Sequence, residues 1–411
     1  MNITNTIWRN CYAYPDRIAI LHDGHPVSYK RLGAGVEVAS ARLAATGVTR
    51  GDVVALAIRD RLSYLTVLLA AARLGAVATP LWDWLPEEQR EELVVRNRVH
   101  SIVTDRKNAW RSSSLPPSRS LEARAMLARP AGEEHLDVPP VAQGLDEQPW
   151  LIALTSGTTG RPKRNPQTHA RSALLTSLSP RFKQDDEERV FLFASVRIEL
   201  GITTVMRQLY RGATTVLTQS IKPEDFFETI RRDQPTRIVT TTGNASTLVA
   251  YATKTLPESL ATCASVRSVM VAGSFVSPVL RVGITERICP RLEVEYGSTE
   301  TGTLAMSTPE THAARPKSAG RLMTWVQAEA VDENDQPLPL GQQGALRFKS
   351  PLLTKGYLDD EEANARAFRD GWFYPGDTGL VGTAGYLFLS GRVDHTLNAG
   401  GNKIDPQRGR R

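Results

Sequence analysis

Several protein classes are excluded by what this chain lacks. Its three cysteines, Cys11, Cys263 and Cys289, lie far apart and make no CxxC pair, so neither a disulfide framework nor a cysteine zinc site is expected, and the thiols point to a reducing compartment. No long apolar run is present: the longest, Leu65 to Leu81, is interrupted by Arg73, Gly75 and Pro80, which argues against a membrane span. The first residues lack the basic-then-apolar layout of a signal peptide. The formal net charge is only +6 and includes the tail 407–411. No basic cluster of the kind that nucleic-acid readers concentrate on one face accompanies it. These absences predict a cytoplasmic protein that binds neither membrane nor nucleic acid.

What remains has the composition of a globular chain, 41% apolar and 23% charged over 411 residues, long enough for two or three subdomains. Apolar, partly β-branched runs at Val53 to Ile58, Val77 to Pro80, Ser101 to Thr104, Arg189 to Phe193, Ala213 to Leu217 and Arg237 to Thr241 read as buried strands. Helical stretches lie between several of them, including Ser63 to Leu74, which Gly75 ends. Such alternation predicts an α/β fold with mostly parallel sheets and crossover helices. The segment Arg111 to Pro149, rich in Arg, Ser, Pro and Glu, is expected to be a solvated excursion. After about Ala319 short strands separated by turns, at Ala328 to Val331, Ala345 to Phe348 and Tyr386 to Leu389, suggest a small antiparallel or barrel-like subdomain.

The most informative stretch is Leu154-Thr-Ser-Gly-Thr-Thr-Gly-Arg-Pro-Lys163, which sets four hydroxyls, two glycines and two cations directly after an apolar run. Glycine lets backbone N–H groups approach an anion, and hydroxyls and Lys163 add donors and charge, so the loop suits a polyphosphate. It is not a Walker P-loop, because Gly157 and Gly160 are two residues apart and no Ser or Thr follows Lys163. Four further segments follow it: Val271-Ala-Gly-Ser-Phe-Val-Ser-Pro278, Glu295-Tyr-Gly-Ser-Thr-Glu-Thr-Gly302, Gly371-Trp-Phe-Tyr-Pro-Gly-Asp-Thr-Gly379, and Gly391-Arg-Val-Asp394 continuing to Pro406. In the second of these, an aromatic face suits a nucleobase, and a hydroxyl beside a carboxylate suits phosphate and Mg²⁺.

In order and spacing these segments resemble the adenylate-forming superfamily, which includes acyl-CoA synthetases, aryl acid ligases and peptide synthetase adenylation domains. The resemblance implies a large domain over 1–391, with two helix-flanked sheets at about 1–150 and 151–318 and a small distorted β-barrel at about 319–391. A hinge and stub at 392–411 would follow. It implies that ATP and Mg²⁺ bind and that a small carboxylic acid is converted to an acyl-adenylate with release of pyrophosphate, for transfer to the thiol of CoA or a phosphopantetheinyl carrier protein. By the same resemblance Thr155, Ser156, Gly157, Thr158, Thr159, Gly160 and Lys163 hold the phosphates. Gly273, Ser274 and Phe275 flank adenine, Tyr296 stacks on it beside Gly297, and Thr299 meets the α-phosphate. Glu300 helps to hold magnesium, Asp377 takes the ribose hydroxyls, Arg392 lies near ribose or phosphate, and Asp394 is the hinge.

Two departures matter. Lys163 is followed by Arg164 and Asn165 where the family usually has Gly-Val, and the added cation has phosphate or solvent as its expected partner. The family also places a further domain of roughly a hundred residues after the hinge, a usual size for a small domain, carrying a lysine that Lys403 does not match. The expectation is therefore slow adenylation by this polypeptide alone, or a nucleotide-binding remnant or half of a split ligase. For the acid, Glu199 falls near the position where amino-acid-activating members bind the substrate ammonium. Arg197 is the rival partner for its charge if the segment is a strand, in which case an aromatic or short-chain acid is the alternative. Asn244 and Gly273 line the pocket in either case.

Overall fold

The computed structural model describes residues 1–105, 112–127, 137–155, 161–178, 188–393, 397–399 and 402–404. It divides into two compact units, each assembled from discontinuous pieces of chain. One comprises Met1–Leu154, Pro166–Glu188 and Ser195–Gln219; the other comprises Thr155–Asn165, Arg189–Ala194 and Ser220–Arg411.

In the first unit, strands Ser120–Glu122, Val99–Thr104, Val53–Ala57, Val77–Pro80 and Pro149–Thr155 lie side by side and pair in parallel. Their interior residues are buried almost without alternation, the pattern of a sheet covered on both faces. Helix Arg61–Leu74 begins where the Asp60 carboxylate accepts the Ser63 amide at 2.7 Å and ends at Gly75, whose φ of 74° closes it in the left-handed region. The sequence expectation for this helix holds within two residues. A second sheet segment joins the hairpin Ile18–His22 and His25–Ser28 to Thr214–Leu217. Asp23 and Gly24 both take positive φ there, as a two-residue turn requires.

The excursion expected over Arg111 to Pro149 is only partly solvated. Ser120–Glu122 joins the sheet edge in parallel with Val99–Thr104, and Leu121 and Met126 are buried. A three-residue strand is too short to display a periodicity, which is why its composition read as a loop.

In the second unit, Arg189–Phe193, Arg237–Thr241, Ser268–Ala272 and Leu292–Ser298 form a parallel series with helices Pro223–Asp233, Thr242–Thr255 and Pro278–Arg287 between them in sequence. Phe191, Phe193, Phe226 and Phe227 pack at 4.8 to 5.7 Å, Phe191 and Phe226 stacked and the other pairs face to edge, and fill its core. Beyond Leu292–Ser298 the pairing becomes antiparallel, through Gly302–Ser307, Gly320–Leu322, Tyr386–Arg392, Asp377–Val381 and Gly344–Lys349. The antiparallel texture read from the sequence is therefore present, but no closed barrel forms among the described strands; they extend the sheet openly. No helix among the described residues is long and apolar enough to cross a membrane.

Candidate functional site

The parallel strands of the second unit deliver their carboxyl ends to the motif residues, the usual place for ligand chemistry in an open α/β sheet. Gly273, Ser274 and Phe275 follow Ser268–Ala272 directly, Asn244 follows Arg237–Thr241, and Tyr296, Gly297 and Ser298 end Leu292–Ser298. Gly297 is required by the backbone itself, since a Cβ there would fall 2.2 Å from the Gly302 carbonyl across the hairpin.

Asp377 is the centre of a three-residue cluster. Its Oδ2 accepts the Tyr296 hydroxyl at 2.6 Å, and its Oδ1 accepts Arg392 Nη1 at 2.9 Å. Sheet register explains the second contact: Asp377 and Arg392 stand directly opposite on antiparallel strands. Gly376, at a φ of 80°, leaves room for the guanidinium, because a Cβ there would sit 2.8 Å from Arg392 Nη2. Burial, together with the Asp377 charge and the bond that Asp377 accepts, pushes the Tyr296 hydroxyl well above its usual value of 10, with Arg392 pulling weakly the other way. Tyr296 therefore stays a neutral donor, and its ring packs 6.0 Å from that of Phe348.

A second cluster joins Glu300 to Lys163 through a residue that the sequence reading missed. The buried Tyr357 donates its hydroxyl to Glu300 Oε1 at 2.7 Å, and Lys163 Nζ lies 4.5 Å from the centre of its ring. Burial, and then the neighbouring Glu300 charge, raise the Tyr357 hydroxyl above its ordinary range. The backbone of Tyr357 is clamped by Asn364, which accepts its N–H at 2.7 Å and donates to its carbonyl at 2.8 Å. Gly356, at a φ of 136°, admits that clamp. The available signal was the Gly356-Tyr357 pair itself, a glycine needing positive φ before an aromatic, which carries no chemical role until its partner is known.

Other expected residues fall as follows. Thr155 ends strand Pro149–Thr155, and Thr299 sits in the turn between Tyr296 and Glu300, both partly exposed. Phe275 is 78% exposed, and Gly273 takes a φ of 101° with open space where a Cβ would stand. Asn244 spends its amide on the Phe193 carbonyl at 2.8 Å. Ser156, Gly157, Thr158, Thr159, Gly160 and Asp394 lie outside the described residues. Arg164 meets neither of its expected partners: its buried guanidinium bonds Asp359 at 2.6 Å and the Leu358 carbonyl at 2.9 Å.

The Arg197 and Glu199 expectation needs correction. Glu199 opens helix Glu199–Arg211 and is not on a strand with Arg197. In the first unit its Oε1 lies 3.5 Å from Arg171 Nη1 and 3.4 Å from the Thr203 hydroxyl, and Arg171 also donates to Gln167. Arg197 instead donates to Asp83 at 2.9 Å and lies over the exposed Trp84 ring at 5.2 Å. Asp83 also accepts Arg59 at 2.6 Å; burial would raise its carboxyl, but these bonds and the Arg197 charge hold it below the usual value. The face-sharing argument fails because Arg197 lies in the turn before this helix, so the two residues are not same-face positions of one strand.

Comparison with known proteins identifies the family. A family model described as AMP-binding enzyme matches residues 7–358. The chain is 26% identical to 2-succinylbenzoate–CoA ligase of Bacillus licheniformis, over 99% of this chain and 83% of that protein. It is 27% identical to indoleacetate–CoA ligase of Aromatoleum aromaticum, over 99% and 81% respectively. Among solved structures, o-succinylbenzoate coenzyme A synthetase of Bacillus subtilis in complex with ATP and magnesium ion superposes with a TM-score of 0.81 at 23% identity, covering 98% of this chain and 82% of that one.

Proposed function

The chain belongs to the AMP-binding enzyme family, and on that premise we propose that it activates an aryl or arylalkyl carboxylic acid with ATP and passes the acyl group to the thiol of CoA. A carboxylate oxygen attacks the α-phosphorus, the bond to the β-phosphate oxygen breaks, and acyl-adenylate and pyrophosphate result. No general base is needed, since the acid is ionised at neutral pH. Both reactants are anions, so the work is chiefly electrostatic.

The observation that carries this reading is Asp377, held between Tyr296 and Arg392. A carboxylate fixed on both oxygens still has acceptor capacity for two vicinal ribose hydroxyls, and the adjoining tyrosine supplies a face for adenine. Lys163 offers charge to the phosphates, with Thr155 and Thr299 as hydroxyl donors. Mg²⁺ suits the residues present: among the described residues no group of three or more His, Cys, Asp or Glu is arranged to hold a metal. Glu300 is a single carboxylate whose Oε1 takes the Tyr357 hydroxyl, which leaves Oε2 for a cation. Magnesium keeps its waters and takes one or two carboxylates together with substrate phosphates, neutralising charge on the leaving group.

The acid class follows from Glu199. With Arg171 and Thr203 beside it, and its charge placed favourably at a helix N-terminus, it is not a vacant receptor for an ammonium group. The relatives act, by their names, on 2-succinylbenzoate and indoleacetate, both ring-bearing acids. ATP–pyrophosphate exchange with a panel of aryl, arylalkyl and amino acids tests the proposal. Exchange confined to ring-bearing acids lacking an amine is expected; exchange with amino acids alone would overturn the assignment. Supplying CoA and a phosphopantetheinyl carrier in turn identifies the acceptor.

A further inference from the structure

We infer that Tyr357 is a positioning residue that sets the Glu300 carboxylate for its cation and couples it to Lys163, so that metal and lysine meet the phosphates as one unit. The inference rests on the nucleotide reading above.

The geometry leaves Tyr357 little freedom. Its backbone is bonded on both sides by Asn364, whose helix Glu361–Ala367 is capped by Asp360 through the Ala363 amide at 3.1 Å. Its ring lies edge-on to Phe368 at 5.5 Å, within an apolar cluster with Ala363, Ala367 and Phe373. From that cluster the hydroxyl reaches out to Glu300 Oε1 at 2.7 Å. The same segment also holds the Glu300 backbone, since the Thr354 amide donates to the Glu300 carbonyl at 2.9 Å.

A phenol can donate one proton, and a carboxylate that accepts it on Oε1 loses rotation about its terminal bond and turns Oε2 in a fixed direction. Oε2 is the oxygen that this bond leaves for a cation. Meanwhile the face of the same ring meets Lys163 Nζ, a contact that favours the ammonium over this spot. One side chain thus restrains both a carboxylate for the cation and a cation for the phosphates, although these lie 137 residues apart in sequence. Such outer contacts typically change metal affinity 10–100-fold when removed.

Tyr357→Phe separates the two roles, keeping the ring for Lys163 and Phe368 while removing the bond to Glu300. The readout is binding of a fluorescent ATP analogue to the full chain, titrated with EDTA present and then with Mg²⁺. The expected result is an affinity in EDTA within about twofold of wild type and a gain from Mg²⁺ reduced about tenfold. Tyr357→Leu, which also loses the ring, should weaken binding in EDTA as well. Asn364→Ala provides a second route if Tyr357→Phe unfolds, and its expected effect is a smaller loss of the same metal-dependent gain. A wild-type Mg²⁺ gain in Tyr357→Phe, or equal losses with and without metal, overturns the inference and leaves the nucleotide reading standing. Absence of metal-dependent ATP binding in the wild-type chain overturns both.

Discussion

Two carboxylates of nearly equal burial serve different ends in the two units. The Asp377 side chain is 17% exposed and that of Glu199 is 16% exposed, and each faces an arginine. Glu199 has its charge accounted for locally: it opens a helix, Arg171 lies 3.5 Å away, and the Thr203 hydroxyl lies one turn along. Asp377 has no helix behind it. It begins a strand, at hydrogen-bonding distance from a phenol and opposite an arginine, beside a glycine that leaves space. Burial alone therefore does not separate a structural carboxylate from one arranged for a ligand. What separates them is whether the backbone around the group explains its charge.

The largest effects that test this contrast lie on the structural side. Arg171→Ala should strand Glu199 and lower stability by about 3 kcal/mol, measured as the urea midpoint, whereas Glu199→Gln should leave exchange with a ring-bearing acid within about threefold. Abolished exchange in Glu199→Gln would move Glu199 into the substrate site and break the contrast.

Next in size, Asp377→Asn keeps the side-chain shape but removes the charge that orders Tyr296 and Arg392. Its kcat/KM for exchange should fall about 100-fold, equivalent to about 2.7 kcal/mol, with little change in the urea midpoint. A loss of stability without a loss of rate would make Asp377 structural too.

A third and smaller test uses acid. His169 in the first unit is fully buried and accepts the Ile3 amide at 3.0 Å. Burial, then the charge of the N-terminal ammonium, lower its pKa to about 4, against an opposing pull from Asp146. The unfolded chain binds this proton from about pH 6.5 downward while the folded one does not, so stability is complete above pH 6.5 and lost as pH falls towards 4. At pH 5 the loss should be about 2 kcal/mol, and His169→Gln should flatten it. An unchanged slope in that variant would remove His169 from the account.

These residues also show what the sequence could display. The helix ending at Gly75 and the strand Val77–Pro80 were legible because composition, period and punctuation agree locally. Tyr296, Glu300, Asp377 and Arg392 could be named as candidates because each sits inside a dense motif. Tyr357, Arg171 and Asp83 were not, because each acquires its role from a partner far along the chain, and no local pattern encodes that. Arg164 illustrates the same limit: its position after Lys163 suggested phosphate or solvent, yet the fold brings Asp359 to it. The open antiparallel strands after Gly320 read as barrel-like for a related reason, since alternation reports pairing but not closure.

The central claim, that a carboxylate oxygen of the substrate attacks the α-phosphorus of ATP, is tested most directly by isotope transfer. The chain is incubated with ATP, Mg²⁺, CoA and a ring-bearing acid labelled with ¹⁸O in both carboxylate oxygens, and the nucleotide product is weighed by mass spectrometry. The account predicts AMP carrying one ¹⁸O atom. Unlabelled AMP, or ADP as the nucleotide product, would contradict it.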